Sequence, residues 1–97
     1  MSDVKKLSKV FKALSNPNRL ELYLKIKNHH KIEIGKKKRA CLLSSLCESL
    51  NIGAPTISHH LKELMNAELV ETDKQGKFIT CNLNQSLLNE VIKELKS

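Results

Sequence analysis

The sequence predicts a mainly α fold with a small β-hairpin, in the order helix-helix-helix-helix-hairpin-helix. Three observations carry that expectation. Apolar residues recur at three- and four-residue steps over most of the chain, which is the period of a helix with one buried face. Alternating apolar and polar residues occur in two short runs late in the chain, separated by a glycine-containing turn. Finally, one Tyr, two Phe and no Trp leave Leu, Ile and Val to build the core, a composition that suits packed helices better than a large sheet. Ninety-seven residues are room for a single domain, 1–97. A domain of that size buries roughly 60–65% of its unfolded surface.

The first helix is expected from about Asp3 to Leu14, with Val4, Leu7, Val10, Phe11 and Leu14 on one stripe. Ser15-Asn16-Pro17 breaks it. Ser15 or Asn16 can cap the next helix, and Pro17 fits a first turn where its missing N–H costs nothing. The second helix, about Pro17 to Asn28, carries Leu20, Leu24 and Ile26, with Leu22 and Tyr23 beside them. From His29 to Ala40, Ile32 and Ile34 alternate with charged residues before Gly35 and Lys36-Lys37-Lys38-Arg39, which reads as a short strand and a basic loop. The third helix, Cys41 to Leu50, buries Leu42, Leu43, Leu46, Cys47 and Leu50. Asn51-Ile52-Gly53 is a tight turn, with Gly53 free to take backbone angles closed to other residues. A fourth helix runs from about Ala54 to Ala67. Leu69 to Asp73 and Phe78 to Leu83 are the two strands, flanking the turn Lys74-Gln75-Gly76-Lys77. Asn84 caps a last helix, Gln85 to Lys96, whose apolar residues are Leu87, Leu88, Val91, Ile92 and Leu95.

Charge narrows the function. Seventeen basic residues against ten acidic ones give a net +7, with a pI near 9.5. Such an excess in a small domain points to a polyanion, nucleic acid first, although a solubilising surface has the same charge count. No apolar run approaches the roughly 18 residues of a membrane span. The N-terminus Met1-Ser2-Asp3-Val4-Lys5-Lys6 lacks the apolar stretch of a signal peptide, so the expected compartment is the cytoplasm and no membrane partner is expected. Cys41, Cys47 and Cys81 are odd in number and irregular in spacing, which argues for reduced thiols rather than a disulfide framework. No nucleophile with a base, no carboxylate pair at useful spacing and no phosphate-binding glycine loop is present, so neither an enzyme nor a small-molecule substrate is expected.

Leu42 through Leu83 then reads as a helix, a short turn, a second helix and a hairpin, the winged form of a helix-turn-helix. On the fourth helix Ile57, Leu61 and Leu64 share the core face. Ser58, His59 and Lys62 lie opposite, with Thr56 at the edge. Short hydrogen-bonding groups and one cation suit base edges and phosphates in a major groove. The helix start at Ala54 to Thr56 adds backbone attraction for phosphate. Lys74, Gln75 and Lys77 at the hairpin tip can lie along a DNA backbone, and Lys36, Lys37, Lys38 and Arg39 can add phosphate contacts. Each feature alone also fits a solvated surface, and a winged-helix module for protein or RNA partners remains the alternative. His60, about 60° from the core face, is better suited to packing or a dimer edge than to a base.

The run Ala54-Pro55-Thr56-Ile57-Ser58-His59-His60-Leu61-Lys62-Glu63-Leu64, then Ala67-Glu68-Leu69-Val70 and Gln75-Gly76-Lys77, resembles the ArsR/SmtB family of bacterial and archaeal repressors. Ala13-Leu14-Ser15-Asn16-Pro17-Asn18-Arg19-Leu20 resembles the same family's junction between its first two helices. The resemblance implies a homodimer on double-stranded operator DNA, joined through the first and last helices, here by Leu7, Val10, Leu88, Val91, Ile92 and Leu95. It also implies DNA reading by Thr56, Ser58, His59 and Lys62. The family's metal ligands do not carry over. The cysteine and aspartate positions before the recognition helix fall on Leu42, Ser44 and Ser45, and Cys41 is one residue away, a rotation of about 100° on a helix. The last helix has Asn84, Gln85, Asn89 and Glu90, and no His. No metal or cofactor is therefore expected. Two exceptions centre on Cys41: zinc held with His29 and His30, and a thiol redox switch beside the Lys36–Arg39 cations. Cys47 and Cys81 read as buried small side chains.

Overall fold

The computed structural model describes residues 3–33, 43–75 and 78–96. Ile34, Lys36, Lys37, Lys38, Arg39, Cys41, Leu42, Gly76 and Lys77, to which the sequence assigned roles, lie outside the described residues. The elements follow the expected order: α1 (Val4–Leu14), α2 (Pro17–Glu33), α3 (Leu43–Leu50), α4 (Ala54–Asn66), β1 (Val70–Gln75), β2 (Phe78–Leu83) and α5 (Gln85–Lys96).

Local chemistry sets most boundaries. The Asp3 carboxylate accepts from the N–H groups of Lys5 and Lys6 (3.0 and 3.2 Å) and opens α1. At the α1–α2 corner the two candidate caps divide the work. Asn16 Oδ1 accepts from Asn18 and Arg19 N–H (2.9 and 3.1 Å), while the Ser15 hydroxyl donates back to the Lys12 carbonyl (2.7 Å). Asn84 Oδ1 caps α5 by accepting from Leu87 N–H (3.3 Å), and its Nδ2 donates to the Glu68 carbonyl (2.7 Å). One side chain thus ties the base of the hairpin to the last helix.

Four readings need correction. The strand expected at Ile32 is helix, because α2 continues to Glu33. Between Pro17 and Gly35 no residue breaks a helix, and each added residue extends an existing hydrogen-bond ladder cheaply. The buried side of α2 is Leu22, Tyr23 and Ile26, whereas Leu20 and Leu24 are 38% and 42% exposed. Gly53 has φ −61° and ψ 146°, open to any residue; Asn51, at φ 54°, takes the left-handed conformation instead. The last correction is in the hairpin. Lys74 and Gln75 belong to β1, where Lys74 faces Ile79 and Gln75 faces Phe78, so β1 runs two residues further than expected while β2 keeps its expected bounds.

The sheet is one antiparallel pair, in register from Val70 opposite Leu83 to Gln75 opposite Phe78. All seven elements feed one core. Leu22, Ile26, Ile57, Leu64, Leu69, Val10, Val70 and Cys81 are its most deeply buried side chains. Leu46 anchors α3, and Leu87 and Val91 anchor α5. The link from α4 to β1 is a left-handed helix stop built without glycine. Glu68 has φ 64°, its N–H reaches Met65 O (2.9 Å), and Leu69 N–H reaches Leu64 O (3.0 Å).

Candidate nucleic-acid interface

Helix α4 buries one apolar face and turns a mainly polar one outward, Met65 excepted. Ile57, Leu61 and Leu64 are at most 4% exposed. Thr56, Ser58, His59 and Lys62 are all exposed, and their spacing places them on one side: His59 three residues after Thr56, Lys62 four after Ser58. The structure therefore assembles these four sequence-selected side chains into one polar surface with a cation in it. Pro55 is exposed beside them.

The helix start is plainer than expected. Gly53 is the N-cap and offers no side chain to the first turn. Pro55 has no N–H, and Thr56 N–H donates to Gly53 O (3.1 Å). The backbone attraction expected over Ala54 to Thr56 is narrowed to Ala54 and the helix dipole. Lys74 is exposed on β1, and the backbone of Gln75 ends that strand. Among the described residues, Lys74 is thus the hairpin's cation near the tip.

His60 is buried, 8% exposed, next to this surface. Its ring sits 5.9 Å from that of His59, tilted by 53°, and its Nδ1 has no hydrogen-bond partner among the described residues. Burial, then the positive charge of Arg19, then His59 hold its pKa below the usual 6.5. The imidazole of His60 is thus a packing group, whereas the His59 ring stays on the exposed side of α4.

Sequence reasoning passed over one feature. A cavity of about 440 Å³ lies where α1, the first turn of α2 and α4 meet, bordered by Lys9, Lys12, Arg19, His59 and Glu63 among others. The signal was present in Lys9 and Lys12, three apart off the apolar stripe of α1, but only folding sets them beside α4. The proposed zinc histidines, His29 and His30, fall on the last turns of α2 rather than in a loop. No group of three His, Cys, Asp or Glu side chains among the described residues is placed to hold a metal. Cys81 is buried and not in a disulfide.

The six positions assigned to a dimer contact divide. Val10 and Val91 are inside the chain's own core, at 1% and 6% exposure. They are corrected from interface to core positions, since a residue already covered has little surface to offer a partner. Leu7 and Leu88 are half-buried against that core. Ile92 and Leu95 remain exposed, as do Val4 and Phe11 on α1, which the interface set had omitted. No helix among the described residues is long and apolar enough to cross a membrane.

Comparison with known proteins places this architecture. Residues 37–72 match the model of the bacterial regulatory proteins of the arsR family. The arsenical resistance operon repressor of Staphylococcus aureus is 33% identical over 91 residues, covering 94% of this chain and 78% of that protein. The transcriptional repressor SdpR of Bacillus subtilis is 34% identical over 86 residues, 89% of this chain and 84% of its own length. Among solved structures, an ArsR-like transcriptional regulator from Rhodococcus sp. RHA1 superposes with a TM-score of 0.74 at 27% identity, covering 95% of this chain and 77% of that one. The polar outer face of α4, the hairpin beside it and these likenesses over nearly the whole length agree: the chain belongs to the ArsR family of DNA-binding transcriptional regulators, which are not enzymes.

Proposed function

We propose that the chain is a sequence-specific repressor that acts as a homodimer at a near-palindromic operator in the cytoplasm, without a metal or other cofactor. The observation that carries the reading is the outer face of α4, where Thr56, Ser58, His59 and Lys62 are exposed opposite a fully buried apolar face. Two such helices related by a twofold would enter successive major grooves and occlude the promoter. Lys74, Gln75 and Lys77 of the hairpin and Lys36–Arg39 would add backbone contacts. The dimer is supported by apolar side chains left outward on both terminal helices, Val4 and Phe11 on α1 and Ile92 and Leu95 on α5, which water alone covers poorly.

The test is a binding titration of the reduced protein on the duplex upstream of its own coding sequence against a scrambled duplex, with sedimentation of the complex. The expected result is a strong preference for the upstream duplex and two chains per half-site pair. Ser58→Ala with His59→Ala should weaken that preference by about 1–3 kcal/mol for each base no longer read, with the fold unchanged by circular dichroism. Equal affinity for both duplexes in the wild type would turn the assignment toward a protein- or RNA-binding module.

A further inference from the structure

We propose that the cavity between α1, the start of α2 and α4 is a phosphate subsite, built to hold a backbone phosphate at the edge of the groove that α4 enters. The proposal rests on the reading of α4 as the groove-facing helix.

Its walls come from three elements. Lys9 and Lys12 lie on α1, Arg19 on the first turn of α2, and His59, Glu63 and Asn66 on α4. Three permanent cations face one carboxylate, a net of two positive charges by formal count. Among the described residues neither lysine is engaged in an ion pair, so Glu63 does not neutralise them. Arg19 is held in place rather than free to swing. Its Nη1 donates to the Ala13 carbonyl at 3.2 Å, across the α1–α2 corner. Its Nε–H is buried and has no acceptor among the described residues. A buried donor without an acceptor is costly, so a slight turn of the guanidinium toward an anion in the adjoining cavity would be favoured.

Position selects the anion. His59 both borders the cavity and stands on the outer face of α4, so the cavity opens at the side of the helix that faces DNA. A major groove is about 12 Å wide and walled by phosphates. A helix seated in it has those walls on either flank. Side chains from an element packed beside the helix, as α1 is here, are then over a wall and not over the bases. The two lysines supply mobile charge and Arg19 supplies a fixed donor, the division of labour expected for a positioning contact that carries no sequence information.

The experiment is a salt series of the full chain on the upstream and scrambled duplexes, comparing wild type, Lys9→Ala/Lys12→Ala, and Lys93→Ala/Lys96→Ala as a control of equal charge on α5. Lys9 and Lys12 are exposed, so the variant should fold, and Lys9→Gln/Lys12→Gln repeats the test with the side-chain length nearly kept. The Lys9/Lys12 variants should lower the slope of log K against log salt by about 1–2. They should weaken both duplexes by the same factor, while the control keeps the wild-type slope. An unchanged slope, or the same drop in the control, would overturn the subsite. Pyrophosphate binding that needs Lys9 and Lys12, together with a DNA salt slope that their removal leaves unchanged, would assign the cavity to a free anion and overturn the backbone assignment. Failure of the parent reading looks different: the wild type would show no preference between duplexes, whatever its slope.

Discussion

Helices α2 and α4 pack against each other in the same core, yet they distribute their apolar residues in different ways. On α4 the outer side is polar apart from Met65, and Ile57, Leu61 and Leu64 are buried as their spacing demands, with His60 beside them. On α2 apolar residues surround the helix. Leu22 is two positions from both Leu20 and Leu24, and two positions are about 200° of rotation. Leu22 and the Leu20/Leu24 pair therefore face opposite ways, and periodicity offers both as core. The neighbours decide: Leu22, Tyr23 and Ile26 turn inward, and Leu20 and Leu24 stay in water. Spacing defines the faces of a helix, but it chooses the buried one only when the other is polar.

The largest effect available sharpens that contrast with one substitution made twice on one helix. Leu22→Ala should destabilise the chain by about 2–5 kcal/mol, since it empties a fully packed site. Leu20→Ala should change stability by less than about 1 kcal/mol. Urea unfolding of the two variants and the wild type measures both. Small domains have only about 5–15 kcal/mol in all, so the first variant should show an obvious shift in midpoint. Equal losses would break the comparison, and would mean that the outer face of α2 is covered in solution.

A smaller effect concerns His60, the residue of α4 that is buried beside its apolar face. Its folded pKa is lowered by burial, by Arg19 and by His59, so the unfolded chain binds the proton more readily. The sign follows: stability is at its full value above the ordinary pKa near 6.5 and falls as the pH drops below it, until the lowered folded value is passed. Urea midpoints at pH 8, 6 and 5 should decline over that window, and His60→Asn should flatten the decline. A wild-type profile as flat as the variant's would show that the imidazole is solvated rather than buried.

What was legible divides along the same line. Asn16, Pro17 and Asn84 are local signals, and each sits at the helix start it marks, because a cap needs only its own next few residues. The α4 surface was legible for the same reason, since one helix carries Thr56, Ser58, His59 and Lys62. The end of α2 was not: two isoleucines among charges are too few to tell a strand from a helical turn, and the missing breaker before Gly35 was the better signal. The wall formed by Lys9, Lys12 and Arg19 was not either, because it exists only once α1 and α2 lie beside α4. Val10 and Val91 went to an interface in the sequence reading for a related reason. An amphipathic terminal helix shows which residues are buried, but not whether the cover comes from its own chain or a second one.

The smallest effect tests the turn that introduces α4, and its sign is the informative part. Gly53 is free to take backbone angles closed to side chains, yet it has φ −61° and ψ 146°. A Cβ built there would meet Pro55 Cδ at 3.8 Å, an ordinary contact. Nothing in the geometry requires glycine, and the N-cap position lacks a side-chain acceptor for the first turn. Gly53→Ser should therefore stabilise the chain by about 0.5 kcal/mol, through a cap hydrogen bond and a less flexible unfolded chain. Asn51 carries the left-handed conformation at φ 54°, so Asn51→Ala should destabilise where Gly53→Ser does not. A loss at Gly53 instead would return the special conformation to the glycine and make the turn before α4, like the outer face of α2, a place where the local signal and the folded chain disagree.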